Sequence, residues 1–359
     1  MVSKLWRAFI DSSGFLELHF RMSQLKASSD DGDHDNTTMI VVLIQEKFYT
    51  FYWDHISNSA DVKVKQLQSP LSSYEGVVNL VSSCDGLLCL TYPERDKIIV
   101  WNPWIQEHLE IPPSPLKSSD QISDPVGFAL GYDHANSDYK LVNWHWFEDL
   151  ADDSVSSSCC SGLCVYIFKR NSWSRTGNLP FKLYTSYYQP ALCAPLDGKL
   201  HWLAREGSEV TNCIITFDLS SEKLGKLTYP TFYGNDEELS VLNGCLYINC
   251  WQRLGEGFVV QFWIMEKYGV DSTWINICSV ETPYQKFCHL VPIRYSKKRK
   301  ELMLQLNGSK LEVYDLDNKS ASNFTISDAV RCVPCTGSLI SLRRVSESWG
   351  TLVSIESML

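Results

Sequence analysis

A strand ending in an aromatic residue, often followed by Asp or Asn, recurs along this chain at a nearly constant spacing. No other feature narrows the fold as much. The words are Tyr52-Trp53-Asp54, Val100-Trp101-Asn102, Ile167-Phe168-Lys169, Thr216-Phe217-Asp218, Phe262-Trp263-Ile264 and Val313-Tyr314-Asp315. Their aromatics stand at 53, 101, 168, 217, 263 and 314, so the gaps are 48, 67, 49, 46 and 51 residues. The long gap holds Glu148 to Gly162, an acidic stretch rich in Ser and Cys with no strand pattern. Read as a loop insertion of roughly 15–20 residues, it returns that unit to the common period.

A second element precedes three of these strands. Asp85-Gly86, Asp197-Gly198 and Asn243-Gly244 each lead into an apolar run. Asp-Gly and Asn-Gly supply the positive φ that tight hairpins demand, so each marks a strand–turn–strand. Another turn and strand follow the aromatic, as after Asp218 and Asp315. Each unit therefore holds about four short strands in ~48 residues, the arithmetic of a β-propeller blade. The fold expected is all-β and propeller-like, with about six four-stranded blades. One or two β-sandwiches are the alternative, but a sandwich does not need this period. The first unit shows only three clear strands, near 40–44, 47–53 and 62–68. A C-terminal strand would complete it and remove the open edges; the last strand-like run is Gly337 to Leu342.

The start of the chain reads differently. Val2, Leu5, Trp6, Phe9 and Ile10 recur at spacings of three and four, one apolar face of a helix. Asp11-Ser12-Ser13-Gly14 breaks it, and a second short helix carries Phe15, Leu18 and His19. Residues 23–38 are polar and acidic and read as a linker. The organisation is thus a helical head over 1–22, a linker over 23–38, the β domain over 39–345 and a tail over 346–359.

Charge and cysteine usage exclude several function classes. The 359 residues carry 32 Lys+Arg against 42 Asp+Glu, a net charge of −10, which gives no general attraction to nucleic acid or to an anionic membrane. No apolar run is long enough to span a bilayer, and the charged residues among the first twenty leave no signal-peptide core. The thirteen cysteines are irregularly spaced and many sit in strand-like runs. They read as reduced thiols of a cytoplasmic or nuclear protein.

Particular words then become recognisable. Val2-Ser3-Lys4-Leu5-Trp6-Arg7, followed by Ile10, Ser12, Phe15 and His19, resembles the closing third of a plant F-box. Ser83-Cys84-Asp85-Gly86-Leu87-Leu88-Cys89-Leu90, Trp101-Asn102-Pro103, Gly127-Phe128-Ala129-Leu130-Gly131-Tyr132-Asp133, Asp138-Tyr139-Lys140-Leu141-Val142 and Gly198-Lys199-Leu200-His201-Trp202 are similar to the plant F-box-associated domain of the F-box/kelch-like and S-locus F-box groups. The resemblance covers nearly the whole chain. It implies a non-catalytic substrate receptor of a Skp–cullin–F-box ubiquitin ligase, in which the propeller-like domain holds a target protein for degradation. Val2, Leu5, Trp6, Phe9 and Ile10 would be the remnant of the adaptor-binding surface. The earlier part of an F-box, which opens with Leu-Pro, has no counterpart before Met1. Weak or absent binding of a Skp-type adaptor is therefore expected, and a stand-alone interaction scaffold or decoy is the alternative.

No motif points to catalysis, a cofactor or a resident metal. The chain has no H-E-x-x-H, no Gly-x-Ser-x-Gly and no phosphate-cradling glycine loop. Cys332-Val333-Pro334-Cys335 is a lone C-x-x-C in an all-β context, with Cys288 and His289 the nearest candidates to complete a zinc site. Cys159, Cys160 and Cys164 fall in or beside the insertion and read as ordinary loop thiols. The basic run Arg294 to Lys300 reads as a solvated hairpin turn or a nuclear-localisation patch. The periodic aromatics read as packing between blades. The non-periodic ones, Trp144, Trp146, Tyr187 and Tyr188, are the candidates for target binding, because Trp and Tyr dominate protein-binding hot spots.

Overall fold

A computed structural model of the chain describes residues 39–52, 64–71, 76–116, 126–146, 161–179, 182–183, 193–206, 211–230, 237–254, 257–282, 290–296, 300–327 and 329–342. Within them the chain forms six antiparallel sheets. Blade 1 takes β1 (Met39–Ile44), β2 (Lys47–Tyr52) and β3 (Lys65–Gln66) from the start of the domain. Blade 2 is β4 (Asn79–Cys84), β5 (Leu87–Tyr92), β6 (Lys97–Asn102) and β7 (Glu107–Ile111). Blade 3 is β8 (Val126–Asp133), β9 (Asp138–Trp146), β10 (Ser161–Ile167) and β11 (Ser172–Leu179). Blade 4 centres on β14 (Lys199–Glu206), which pairs with β15 (Thr211–Asp218) and, on its other side, with the short β12 (Lys182–Leu183) and β13 (Ala194–Leu196); β16 (Leu224–Leu227) is outermost. Blade 5 is β17 (Glu237–Leu242), β18 (Cys245–Leu254), β19 (Gly257–Met265) and β20 (Trp274–Thr282). Blade 6 is β21 (Leu290–Ser296), β22 (Glu301–Leu306), β23 (Lys310–Asp315) and β24 (Ser320–Ser327). The fold is an all-β, six-bladed propeller.

The ring closes through β25 (Ala329–Cys335), which pairs with β1 in the register Met39↔Cys335, Val41↔Val333 and Leu43↔Arg331. This corrects the expectation that Gly337 to Leu342 supplies the closing strand. That run follows β25 without joining a ladder. Pro334 disguised the true strand. A proline donates no ladder hydrogen bond, but β25 pairs on one side only, and such an edge position tolerates it.

Six apolar clusters fill the six seams between neighbouring blades, and strand alternation explains how. Successive residues of a strand point to opposite faces, so a strand buried on both faces reads as an unbroken apolar run. In β5, Leu88, Leu90 and Tyr92 face blade 1 while Leu87 and Cys89 face blade 3. In β1, Met39, Val41 and Leu43 face blade 2 while Ile40 and Val42 face blade 6. Each fully buried side chain of this kind contributes roughly 1.5–3 kcal/mol.

The periodic aromatics lie at the ends of third strands, and each described one packs against the preceding blade. Trp101 enters the blade 1/2 seam, with its ring 5.1 Å from that of Phe48. Phe168 enters the blade 2/3 seam and Phe217 the blade 3/4 seam. These three are fully buried. Trp263 and Tyr314 take the corresponding seams but are only half-buried. In blade 5 the deep position at the strand end goes to Met265. Trp53 lies outside the described residues, as do the helical head over 1–22, the linker over 23–38 and the tail over 346–359.

Candidate functional site

The two ends of the ring are built from different connections. One end carries the turns between first and second and between third and fourth strands of blades 2 to 6. The Asp-Gly and Asn-Gly turns lie here, with φ of 50° and 81° at Asp85 and Gly86, 51° and 69° at Asp197 and Gly198, and 50° and 75° at Asn243 and Gly244. The other end carries the second-to-third turns and the links from blade to blade.

Polar side chains lock the first end across its seams. Asp133 and Lys140, both buried, flank the first turn of blade 3. Lys140 Nζ lies 3.1 Å from Asp133 Oδ2 and 3.3 Å from Glu222 Oε1 of blade 4, and it also donates to the Leu219 carbonyl. Burial pushes the Asp133 carboxyl up, but donations from Ser220, Asn136 and Lys140 outweigh it and hold it at about 2. Between blades 2 and 3 the Tyr139 hydroxyl donates to Asp85 Oδ2 at 3.3 Å. Between blades 4 and 5, His201 is sealed in the seam. Its Nδ1 is 2.7 Å from the Ala194 carbonyl, which only accepts, so Nδ1 carries the proton and Nε2 accepts from the Tyr268 hydroxyl at 2.8 Å. Burial holds the His201 pKa down at about 4. The Lys199 ammonium lies 5.4 Å from the centre of the Tyr268 ring.

Of the candidates for target binding, the described chain reaches the second end at Trp146. Trp146 is the last residue of β9, where the chain leaves blade 3 for the segment 147–160 and returns at Ser161. Tyr187 and Tyr188 fall between β12 and β13 in the sequence and lie outside the described residues. Trp144 does not belong with them. Its side chain is 1% exposed and packs edge-to-face on Trp202, with ring centroids 5.2 Å apart. It also lies flat over Gly127, where a Cβ would fall 2.0 Å from the indole. Two residues earlier in β9, the Trp144 side chain faces blade 4, so its place is the blade 3/4 seam and not a recognition face.

The cysteine motif resolves into packing. Cys332 lies in the blade 6/1 seam and Cys335 in the blade 1/2 seam, because residues three apart in a strand face opposite ways. Burial pushes both thiols up to about 12, far from the thiolate that redox chemistry or metal binding requires. Cys164 is a free thiol buried in β10; Cys159, Cys160, Cys288 and His289 lie outside the described residues. Among the described residues no group of three or more His, Cys, Asp or Glu is arranged to hold a metal ion, and no helix is long and apolar enough to cross a membrane. The basic run spans the hairpin between β21 and β22, where Lys300 bonds Asp317 at 2.8 Å.

Comparison with known proteins gives the architecture a family. Residues 39–328 match the F-box associated beta propeller domain. The F-box protein CPR1 of Arabidopsis thaliana is 27% identical over 345 residues, covering 91% of this chain and 79% of that protein. A second F-box protein of the same plant is 26% identical over 89% of this chain and 79% of its own length. An F-box/kelch-repeat protein, also from Arabidopsis thaliana, is 24% identical over 56% of this chain and 52% of its own. The chain belongs to the F-box associated β-propeller family.

Proposed function

We propose that this chain is the substrate-recognition subunit of a Skp–cullin–F-box ubiquitin ligase, acting in the cytoplasm or nucleus. The observation that carries the reading is the family match over residues 39–328, together with F-box proteins as relatives across nine-tenths of the chain. The propeller holds a target protein and other subunits perform the ubiquitin transfer. The adaptor contact falls to the apolar stripe Val2, Leu5, Trp6, Phe9 and Ile10, which lies outside the described residues.

The target is engaged at the end bearing the second-to-third turns, around blades 3 and 4. Two facts support that end. β9 ends there at Trp146, and the acidic Glu148, Asp149, Asp152 and Asp153 follow it directly in the sequence. Acidic groups around aromatic anchors favour a target with a basic face.

The test is affinity capture from plant cells with the proteasome blocked. The wild-type chain is compared with Trp6→Ala, with the triple change Trp146→Ala, Tyr187→Ala and Tyr188→Ala, and with Lys319→Ala at the opposite end. The expected result is weak recovery of the Skp-type adaptor by the wild-type chain and none with the first variant, loss of ubiquitinated partners with the second and no change with the third. Adaptor recovered neither by this chain nor by one carrying a restored F-box start overturns the ligase role and leaves a scaffold. Ubiquitinated partners retained by the triple variant overturn the choice of face.

A further inference from the structure

The closing strand does not end the ordered chain. Residues 336–342, Thr-Gly-Ser-Leu-Ile-Ser-Leu, continue from β25 across blade 2 without joining any ladder. They are nevertheless held at every step. The Asn102 side chain is fully buried, and its amide donates to the carbonyls of Ser338 at 3.1 Å and Ile340 at 3.0 Å. Its Oδ1 accepts from the Trp104 backbone at 2.9 Å, which fixes the orientation of that amide. Ser341 Oγ donates to Glu107 Oε2 at 2.7 Å. Leu342 is fully buried in the blade 2/3 seam beside Leu87, Cys89 and Tyr139, and Ile340 packs against the same cluster.

The surface beneath is shaped to this segment. A Cβ at Gly86 would fall 2.3 Å from the Thr336 carbonyl oxygen and 2.6 Å from Ser338 Cβ. A side chain there would lift the segment off. Cys335 enters the arrangement by donating its S–H to the Gly86 carbonyl at 3.4 Å. The recognition is of a peptide kind. A carboxamide reads two backbone carbonyls, a glycine lets the backbone approach closely, and an apolar seam takes one leucine.

We infer that blade 2 carries a peptide-docking groove whose ligand is this chain's own segment 336–342, a strap that closes the ring a second time. The β25 closure ties blade 6 to blade 1 and blade 2. The strap reaches one seam further and pegs blade 2 to blade 3 through Leu342. It lies wholly beyond residue 328, where the family match ends. Lacking ladder hydrogen bonds, it opens as a local unit while β25 stays paired.

Hydrogen exchange on the full-length chain tests this. Leu342→Ala and Asn102→Ala are expected to speed exchange at 336–342 and at the underlying 86–90 and 102–104 by roughly 30-fold, about 2 kcal/mol at 1.4 kcal/mol per decade. Exchange in blades 4 and 5 stays as in the wild type. Ser341→Ala, which removes a single part-buried hydrogen bond, gives a smaller rise at the same amides and keeps the test usable where a stronger variant fails to fold. The synthetic heptapeptide of residues 336–342, added to Leu342→Ala, is expected to restore protection at 86–90. Three results would each overturn the inference: unchanged exchange at the strap, an equal rise around the whole ring, or no re-protection by the heptapeptide at millimolar concentration.

Discussion

Blade 4 has two sides, and they are held in different ways. Toward blade 3 it presents Leu200, Trp202 and Ala204 from β14 with Cys213, Ile215 and Phe217 from β15. That seam is apolar at its centre, closed by the Trp144–Trp202 pair, and pinned at one end by the buried Asp133–Lys140 ion pair. Toward blade 5 it presents Leu203 and Ile214, and His201 from the same strand reaches Tyr268. The periodic aromatic of that second seam, Trp263, remains half-buried, and the buried places go to the flexible Met265 and the non-periodic Trp274. The repeat period predicts that an aromatic will face each seam. It does not predict how deeply, because depth depends on the side chains the neighbouring blade offers.

The largest expected effect separates the two sides directly. Trp202→Ala removes a side chain with no exposure from the blade 3/4 seam and strips Trp144 of its partner. It is expected to cost about 3–5 kcal/mol in urea unfolding. Trp202→Phe is expected to cost much less. The indole nitrogen has no hydrogen-bond partner among the described residues, so its loss leaves nothing unsatisfied. Equal losses from both variants would show that shape and not burial governs the seam.

Lys140→Met probes the polar lock on that same side. It leaves the Asp133 carboxylate, which has no solvent exposure, without its cation. Removing one partner of a buried pair typically costs about 3–5 kcal/mol; the Ser220 and Asn136 donations to Asp133 place this one toward the low end. The double variant Lys140→Met with Asp133→Asn should recover part of the loss. No recovery would mean that the lysine acts through the Leu219 carbonyl and Glu222 instead.

The opposite side of blade 4 should answer to pH. His201 is buried and neutral with its pKa held near 4, while an unfolded histidine titrates near 6.5. Between those values the unfolded state binds the extra proton, so stability falls as pH drops through that window and is fully retained above it. The difference of about 2.5 units corresponds to at most about 3 kcal/mol. Asp133 acts lower, from the unfolded carboxylate value near 3.8 down to about 2, and in the same direction. Denaturant midpoints measured from pH 7 to pH 4 should therefore decline in the wild type and flatten in His201→Gln. An unchanged slope would place the proton uptake elsewhere.

The sequence made the ring legible and left its locks hidden. Period and turn chemistry are local, so the six units and the paired positive-φ turns could be read along one chain. Trp144 could not be placed that way. What buries it is Gly127 on the neighbouring strand and Trp202 in the next blade, and no spacing rule joins the three. The same holds for Asn102, which was legible as part of a repeated word but not as the side chain that grips Ser338 and Ile340. The closing strand lies a few residues before the last strand-like run, Gly337 to Leu342, and only pairing with β1 reveals it.

The smallest expected effect tests whether the seam toward blade 5 is truly the looser one. Trp263 stands at the blade period and, on period alone, should match Trp101 and Phe217 in importance. Its half-burial argues otherwise. An exposed portion of a ring is already solvated in the folded state, so truncation returns less apolar surface to water than at a sealed site. It also leaves no closed cavity, and the cavity contribution largely disappears with it. Trp263→Ala is therefore expected to cost about 1–2 kcal/mol, well below Trp202→Ala. Met265→Ala, two residues on and 1% exposed, should cost more, about 2–4 kcal/mol. The order of these two is the discriminating result. A Trp263 loss larger than the Met265 loss would mean that the aromatic anchors the seam despite its exposure, and that the two sides of blade 4 are more alike than their burial indicates.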